Sequence, residues 1–317
     1  SSVLTTDNTK TLYTSTEDGT TVYYYAGNAQ DNWVKFAGYY WRIIRTNSDG
    51  GVRLLYHGTS TTVTDAYIGK VAFNSGYKDT MYSGYMYGTS GSLDSNRTNE
   101  NDSTIKTTID TWYENNLKTN YEKYISTTAI YCSDREIGSG TYSATGSPFD
   151  YATETRLVTN KTPTYDCKNI DDKFTVNSSA GNGKLAYPIA LMTTDEISYA
   201  GGESKSYNAN VWYIRNANDP TRVIENKPFS DPSTEVTPYY STGTTRWWLL
   251  SPSEWNSSVA YVFIVDSSSA PGSFWSGIVY NYYGVRPAIS LKSCTKWASG
   301  DGTPENPYTI QETTTGC

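Results

Sequence analysis

Apolar positions along this chain fall into short runs separated by long polar stretches, a pattern of strands joined by loops rather than of sustained helices. Strands are expected over residues 21–25 and 33–36, then over 39–45 (YYWRIIR) and 52–57 (VRLLYH). The last two flank the sequence TNSDGG, and Asp-Gly between apolar runs predicts a hairpin. Residues 58–102 carry Gly, Ser and Asn throughout with scattered Tyr, and read as loop. A helix is expected from Ser103, a good N-cap, because Ile105, Ile109, Trp112 and Tyr113 recur on one helical face. Leu117, Tyr121 and Tyr124 either continue it or begin a second helix.

Residues 129–132 lead into a second polar insertion, 135–183, in which Asp171 and Asp172 read as a solvated pair. The run 184–192 (KLAYPIALM) predicts a buried strand, and Thr193 to Ile197 a short capped helix. Pro220, Pro228, Pro232 and Pro238 punctuate a loop-rich stretch over 201–245. A distinctive block follows at 246–291. Its ends, RWWLLSP and GVRPA, are apolar and rigid; between them lie a strand over 259–265 and a middle rich in Ser, Trp, Tyr and Asn. Residues 300–310 close with a turn and a last short strand. The organisation expected is a polar arm or lead-in strand at 1–20, then one α+β, β-rich domain over 21–317. That domain has insertions at 58–102 and 135–183, one or two helices, and loops ordered by aromatic packing.

Composition sharpens this picture. The chain has 30 Tyr, 9 Trp and 7 Phe among 317 residues, and only 18% are charged. Tyr and Trp bury a ring while keeping a polar tip wet, which suits long ordered loops outside the cell. The net charge of −7 excludes the basic footprint that nucleic acid requires, and argues against docking on anionic lipid. No apolar run reaches the length of a membrane span. Four cysteines without a CxxC pair, and His57 as the single histidine, argue against zinc. An even cysteine count fits disulfides in an oxidising, extracellular setting, against the alternative of free thiols. Three pairings exist; Cys132–Cys167, clipping the polar insertion, and Cys294–Cys317, tying down the tail, are favoured.

Candidate chemistry concentrates in the 246–291 block. Trp255, Asn256, Ser273, Phe274, Trp275, Tyr280, Asn281 and Tyr282 are the expected ligand-binding residues, with Tyr283 beside them. Rings there would stack on sugars or grip a protein, and the amides would supply paired donors and acceptors. The competing reading is that the rings pack on one another. Trp247 and Trp248 should face opposite sides of a strand, one in the core and one lining a groove. Arg286 is expected to be structural, bonding loop carbonyls or Asp266 rather than a ligand carboxylate. Asp301, Glu305 and Asn306 read as a turn rather than a calcium loop. No GxSxG or HExxH motif occurs, and His57 has no motif partner, so no catalytic residue, metal or cofactor is expected.

The order of these pieces carries a resemblance. WRII at 41–44, the helix with Ile105 and Trp112, IALM before TDE at 189–196, WWLLSP at 247–252, GVRPA at 284–288 and the tail at 300–310 together resemble a family of uncharacterised surface and secreted domains. These come from Gram-positive and uncultured gut bacteria, and usually end in a pattern similar to WWLRSP…GVRPALWL. Leu250 stands where that pattern has arginine. The C-terminal pattern is similar to the C-type-lectin-like fold, which includes formylglycine-generating-enzyme-like domains and the variable proteins of diversity-generating retroelements. The resemblance implies a C-type-lectin-like core and a recognition surface between the Trp-rich strand and the final strand. The catalytic cysteines of the formylglycine group do not carry over, because Cys294 and Cys317 lie outside the matching block. The function expected is a non-enzymatic adhesion or binding domain on a bacterial surface, its partner a glycan or a protein. The alternative is a pilin-like subunit that self-assembles into a filament, since some relatives resemble prepilins at their N-termini.

Overall fold

A computed structural model describes residues 12–26, 29–62, 66–202, 204, 212–215, 223–226, 246–266 and 273–317. Strand outweighs helix, 36% against 19%. Two mixed sheets dominate the described residues. In the first, the strands run in the spatial order Ile189–Leu191, Pro287–Leu291, Val52–Gly58, Tyr39–Thr46, Trp33–Phe36, Tyr308–Ile310 and Trp297–Ser299. The expected hairpin is its centre, with Ile43 opposite Leu54. The second sheet runs Ile137–Gly140, Phe149–Tyr151, Trp247–Trp255, Ala260–Asp266 and Ser273–Ile278. Tyr282–Gly284 lies parallel to its Trp-rich strand and pairs on its other side with Lys70–Ala72.

The strand Trp247–Trp255 explains its own sequence. Trp248 and Leu250 enter the main core with Val262, Ile264 and the helix residues Ile105 and Ile109. Trp247 and Leu249 point the other way, into a second core with Ile44, Leu55, Ile197 and Phe263. Both faces are covered, so apolar residues run continuously instead of alternating. The two tryptophans do face opposite sides as expected, but both are fully buried and neither lines a groove. Pro252 has no N–H to give to the ladder, and the register with Ala260–Asp266 slips on either side of it.

Three expectations are refined here. Of the two readings of the N-terminal segment, arm or lead-in strand, residues 12–17 form the strand: Leu12–Glu17 and Thr20–Tyr25 make a hairpin through Asp18 and Gly19, both left-handed. Its Tyr13 and Tyr24 pack with Tyr165 and Tyr199 in a third, tyrosine-rich core that includes Val22 and Ala26. Residues 1–11 lie outside the described residues. Helix is also more frequent than one or two segments. Thr104–Tyr113, capped by Ser103, widens into a π-helical turn at Glu114–Lys118 and continues to Tyr124, while Ala152–Glu154 and Thr155–Asn160 form a helical turn inside the 135–183 insertion. Finally, the strand expected over 184–192 shortens to Ile189–Leu191, just after Pro188.

Buried arginines, as well as aromatics, order the long insertions. Asp172 is not solvated; it is 1% exposed and accepts from Arg135 Nε at 2.6 Å and Arg97 Nη2 at 3.0 Å. Arg135 also donates to the carbonyls of Met86 and Asn96 and to Asn99 Oδ1, so one guanidinium ties the 58–102 insertion to the 135–183 insertion. Arg156 joins Asp134 at 2.9 Å to Asp195 at 2.7 Å, fixing the second insertion to the helix Thr194–Tyr199. Both expected disulfides are present, Cys132–Cys167 and Cys294–Cys317. They fit an oxidising compartment. Among the described residues, no helix is long and apolar enough to cross a membrane.

His57 belongs to the core rather than to a site. It is buried edge-on against Trp33 at 4.4 Å. Burial first, then the charges of Arg286 and Arg42, hold its pKa well below 6.5. The folded protein therefore keeps His57 neutral where the unfolded chain, titrating near 6.5, takes up a proton. Its stabilising contribution is full above pH 6.5 and is lost as pH falls toward the folded pKa, at about 1.4 kcal/mol per pH unit. Urea unfolding between pH 7 and 5 should show this slope, and His57→Gln should flatten it. An unchanged slope in that variant would assign the acid sensitivity to the carboxylates instead.

Candidate functional site

One end of the second sheet carries a face of tyrosines. It is built on the turn 256–259, which joins Trp247–Trp255 to Ala260–Asp266. Asn256 Oδ1 accepts the N–H groups of Ser258 and Val259, both at 3.0 Å, and Ser257 takes a left-handed φ of 77°. Asn256 Nδ2 donates to the Tyr261 hydroxyl at 3.0 Å. The adjoining segments are locked on by backbone bonds: Ala260 N–H donates to the Tyr77 carbonyl, and Val279 N–H to the Ala260 carbonyl. Tyr77 and Tyr280 thus meet with ring centroids 4.6 Å apart and planes inclined at 56°. Tyr280 is 43% exposed, and Tyr282, two residues on, is 74% exposed.

The face extends away from the 246–291 block. The Tyr82 ring lies against Gly76, where an added Cβ would come within 2.2 Å of its ζ carbon. Tyr82 in turn meets Tyr87 edge-on at 5.4 Å. Tyr77, Tyr82, Tyr87 and Tyr261 are all half-buried. Burial, then the nearby Glu254 and Tyr280, raise the Tyr261 phenol above 10, so its hydroxyl stays protonated and can donate. Lys78 sits over the Tyr77 ring at 5.6 Å.

The expected site residues divide accordingly. Tyr280 and Tyr282 are on the surface as expected. Trp255 is 2% exposed; it is covered by the loop whose Gly146 carbonyl accepts its Nε1 at 3.2 Å. Ser273 and Phe274 are buried as well, Phe274 edge-to-face with Phe263 at 5.7 Å. None of these three reaches the surface in this conformation: Trp255 packs in the main core and Phe274 in the second. Asn256 is exposed, but its amide holds the turn. Asn281 donates to Tyr283, which packs on Trp248 at 4.9 Å. Trp275 is half-buried against the main core. Residues 267–272, inside the expected recognition stretch, lie outside the described residues. Arg286 is structural: buried, it donates to the Tyr56 carbonyl at 3.1 Å and covers the Trp247 ring at 4.8 Å. Asp266 pairs with Arg246, at 3.6 Å.

Tyr77, Tyr82, Tyr87 and Tyr261 were not among the expected residues. Three come from a stretch that reads only as loop with scattered tyrosine, and nothing local says which rings meet. Among the described residues, no group of three or more His, Cys, Asp or Glu is placed to hold a metal. A family model described as a domain of unknown function (DUF6273) matches residues 149–293, which include the Trp-rich strand, the turn 256–259, Tyr280 and Tyr282. No curated protein and no solved structure matches the chain.

Proposed function

We propose that this chain is a non-enzymatic recognition module at a bacterial surface, and that it binds through the face formed by Tyr280, Tyr282, Tyr77 and Tyr261. The observation that carries the reading is the pairing of exposed Tyr280 with half-buried Tyr77, on a sheet whose turns are fixed by backbone bonds. Tyrosines held this way lose little entropy on binding and offer both a flat apolar face and a hydroxyl, which suits a sugar ring or a protein loop. The two disulfides support an extracellular setting. The reading takes the two-sheet core as C-type-lectin-like, supported by the resemblance at 247–252 and 284–288.

The test is binding of labelled protein to a glycan array and to intact Gram-positive cells. Tyr280→Ala and Tyr282→Ala should each weaken binding at least ~10-fold, the scale of a central aromatic contact, with thermal stability unchanged. Wild-type binding by the double variant would overturn the reading. Light scattering should show a monomer; ordered filaments would instead assign the same rings to subunit packing.

A further inference from the structure

A second concavity lies away from these tyrosines, built from different elements, and does not depend on the reading above. It is a groove of about 740 Å³ between the helical end at 118–123 and the C-terminal tail. That volume is within the range of small-ligand sites. Tyr121, half-buried and edge-on against Phe36, lines it with Asn120, Thr119 and Thr127. Lys123 and Lys292 line it as cations beside Lys118, which is paired with Glu114; Glu122 and Glu312 line it as anions.

These opposite charges are not neutralised by each other. Lys292 Nζ donates to the Lys123 carbonyl at 2.7 Å; Lys123 Nζ donates to the carbonyls of Thr313 and Thr314 at 2.7 and 3.3 Å. Among the described residues, neither lysine and neither glutamate belongs to an ion pair. An ammonium has three donors, so two on Lys292 and one on Lys123 remain for another acceptor. Both lysines are locked in place by backbone carbonyls, which orients their charge without cancelling it.

One wall of the groove is a fastened strap. Glu312 and Thr314 lie on the tail closed by Cys294–Cys317. Thr313 exchanges bonds with the Tyr124 hydroxyl, and Gly316 sits so close to Lys123 that a Cβ would lie 2.7 Å from its carbonyl. The disulfide therefore holds one of the two carboxylates in the groove wall.

We propose that this groove binds a small zwitterion, a short peptide with free termini. Its carboxylate is taken by Lys123 and Lys292, its ammonium by Glu122 and Glu312, and its amide by the Thr and Asn side chains. A neutral ligand leaves both charge sets unused, and a simple anion leaves the glutamates opposed to it.

The experiment is an amide-shift titration of the full chain with alanyl-alanine, its N-acetyl and C-amide derivatives, and maltose. Saturable shifts confined to residues 118–123, 127 and 312–314 are expected with the free dipeptide. Capping either end should weaken binding at least ~10-fold, a loss of one charge-assisted contact. Lys292→Met and Glu312→Gln should do the same, and Cys294→Ser with Cys317→Ser should abolish binding while the remaining amide spectrum stays folded. Absence of saturable shifts, equal binding of the capped peptides or of maltose, or undiminished binding in the variants would each overturn the proposal.

Discussion

Glu196→Ala is expected to destabilise the protein by about 3–5 kcal/mol, the range for removing one partner of a buried ion pair. Glu196 is 1% exposed and serves two roles at once. Its Oε1 accepts from Arg45 Nε at 2.8 Å and Arg53 Nη1 at 3.2 Å. Its Oε2 accepts the Thr193 N–H, completing a reciprocal cap with the Thr193 hydroxyl at the start of the helix Thr194–Tyr199. Without Glu196, Arg45 keeps Glu17 at 2.8 Å. Arg53 fares worse: fully buried, it keeps the Ile130 carbonyl, the Ser290 hydroxyl and the face of Tyr131, but among the described residues no second carboxylate pairs with it. An uncompensated guanidinium is what makes the loss large, since desolvation of the charge is no longer offset. Glu196→Gln separates the contributions, because it preserves shape and can still accept the Thr193 bond. It should cost less than Ala yet well over 1 kcal/mol, the upper end for an exposed pair. Urea denaturation of both variants reads this directly. A loss below that value in both would mean that water reaches Arg53.

That network also marks where sequence reading stops. The central hairpin was legible because Asp49-Gly50 and its flanking apolar runs are local, and the Ser103 and Thr193 caps are legible within four residues. Of the three cysteine pairings the sequence allows, the one favoured is the one present. The rest depends on contacts distant in sequence. Glu196 meets Arg53 across 143 positions, and Tyr77 meets Tyr280 across a span that no local pattern encodes. Trp255 is expected at a binding surface, and nothing local in the sequence shows that the Gly146 loop folds over it. Polar residues misled in the opposite direction: Asp172 looks solvated because its partners, Arg135 and Arg97, are 37 and 75 residues away. The candidate face was thus half legible, through Tyr280 and Tyr282; its other half came from a loop with no periodic signal.

The two disulfides should differ in what their loss does. Chain-entropy reasoning gives about 4 kcal/mol for Cys132–Cys167 and about 3 kcal/mol for Cys294–Cys317, from closed loops of different length. Their separations are 35 and 23 residues. The larger difference lies in what each loop contains. Between Cys132 and Cys167 run Asp134, Arg135 and Arg156, whose ion pairs hold both insertions to the core, and Tyr165, which stacks on Tyr199 at 4.2 Å. Opening that loop releases groups buried in the cooperative unit, so Cys132→Ser with Cys167→Ser should lower the global unfolding free energy by the full amount. Cys294 and Cys317 are both exposed, and their loop holds the short pair Trp297–Ser299 and Tyr308–Ile310 at the sheet edge. Its opening should free the tail as a local event, with the global transition moved by less than half as much. Under native conditions a mild reductant should therefore break Cys294–Cys317 first, and mass-resolved thiol labelling would show it. Labelling of Cys132 and Cys167 ahead of the tail pair, or equal shifts in the two double variants, would mean that the tail is part of the same cooperative unit as the core.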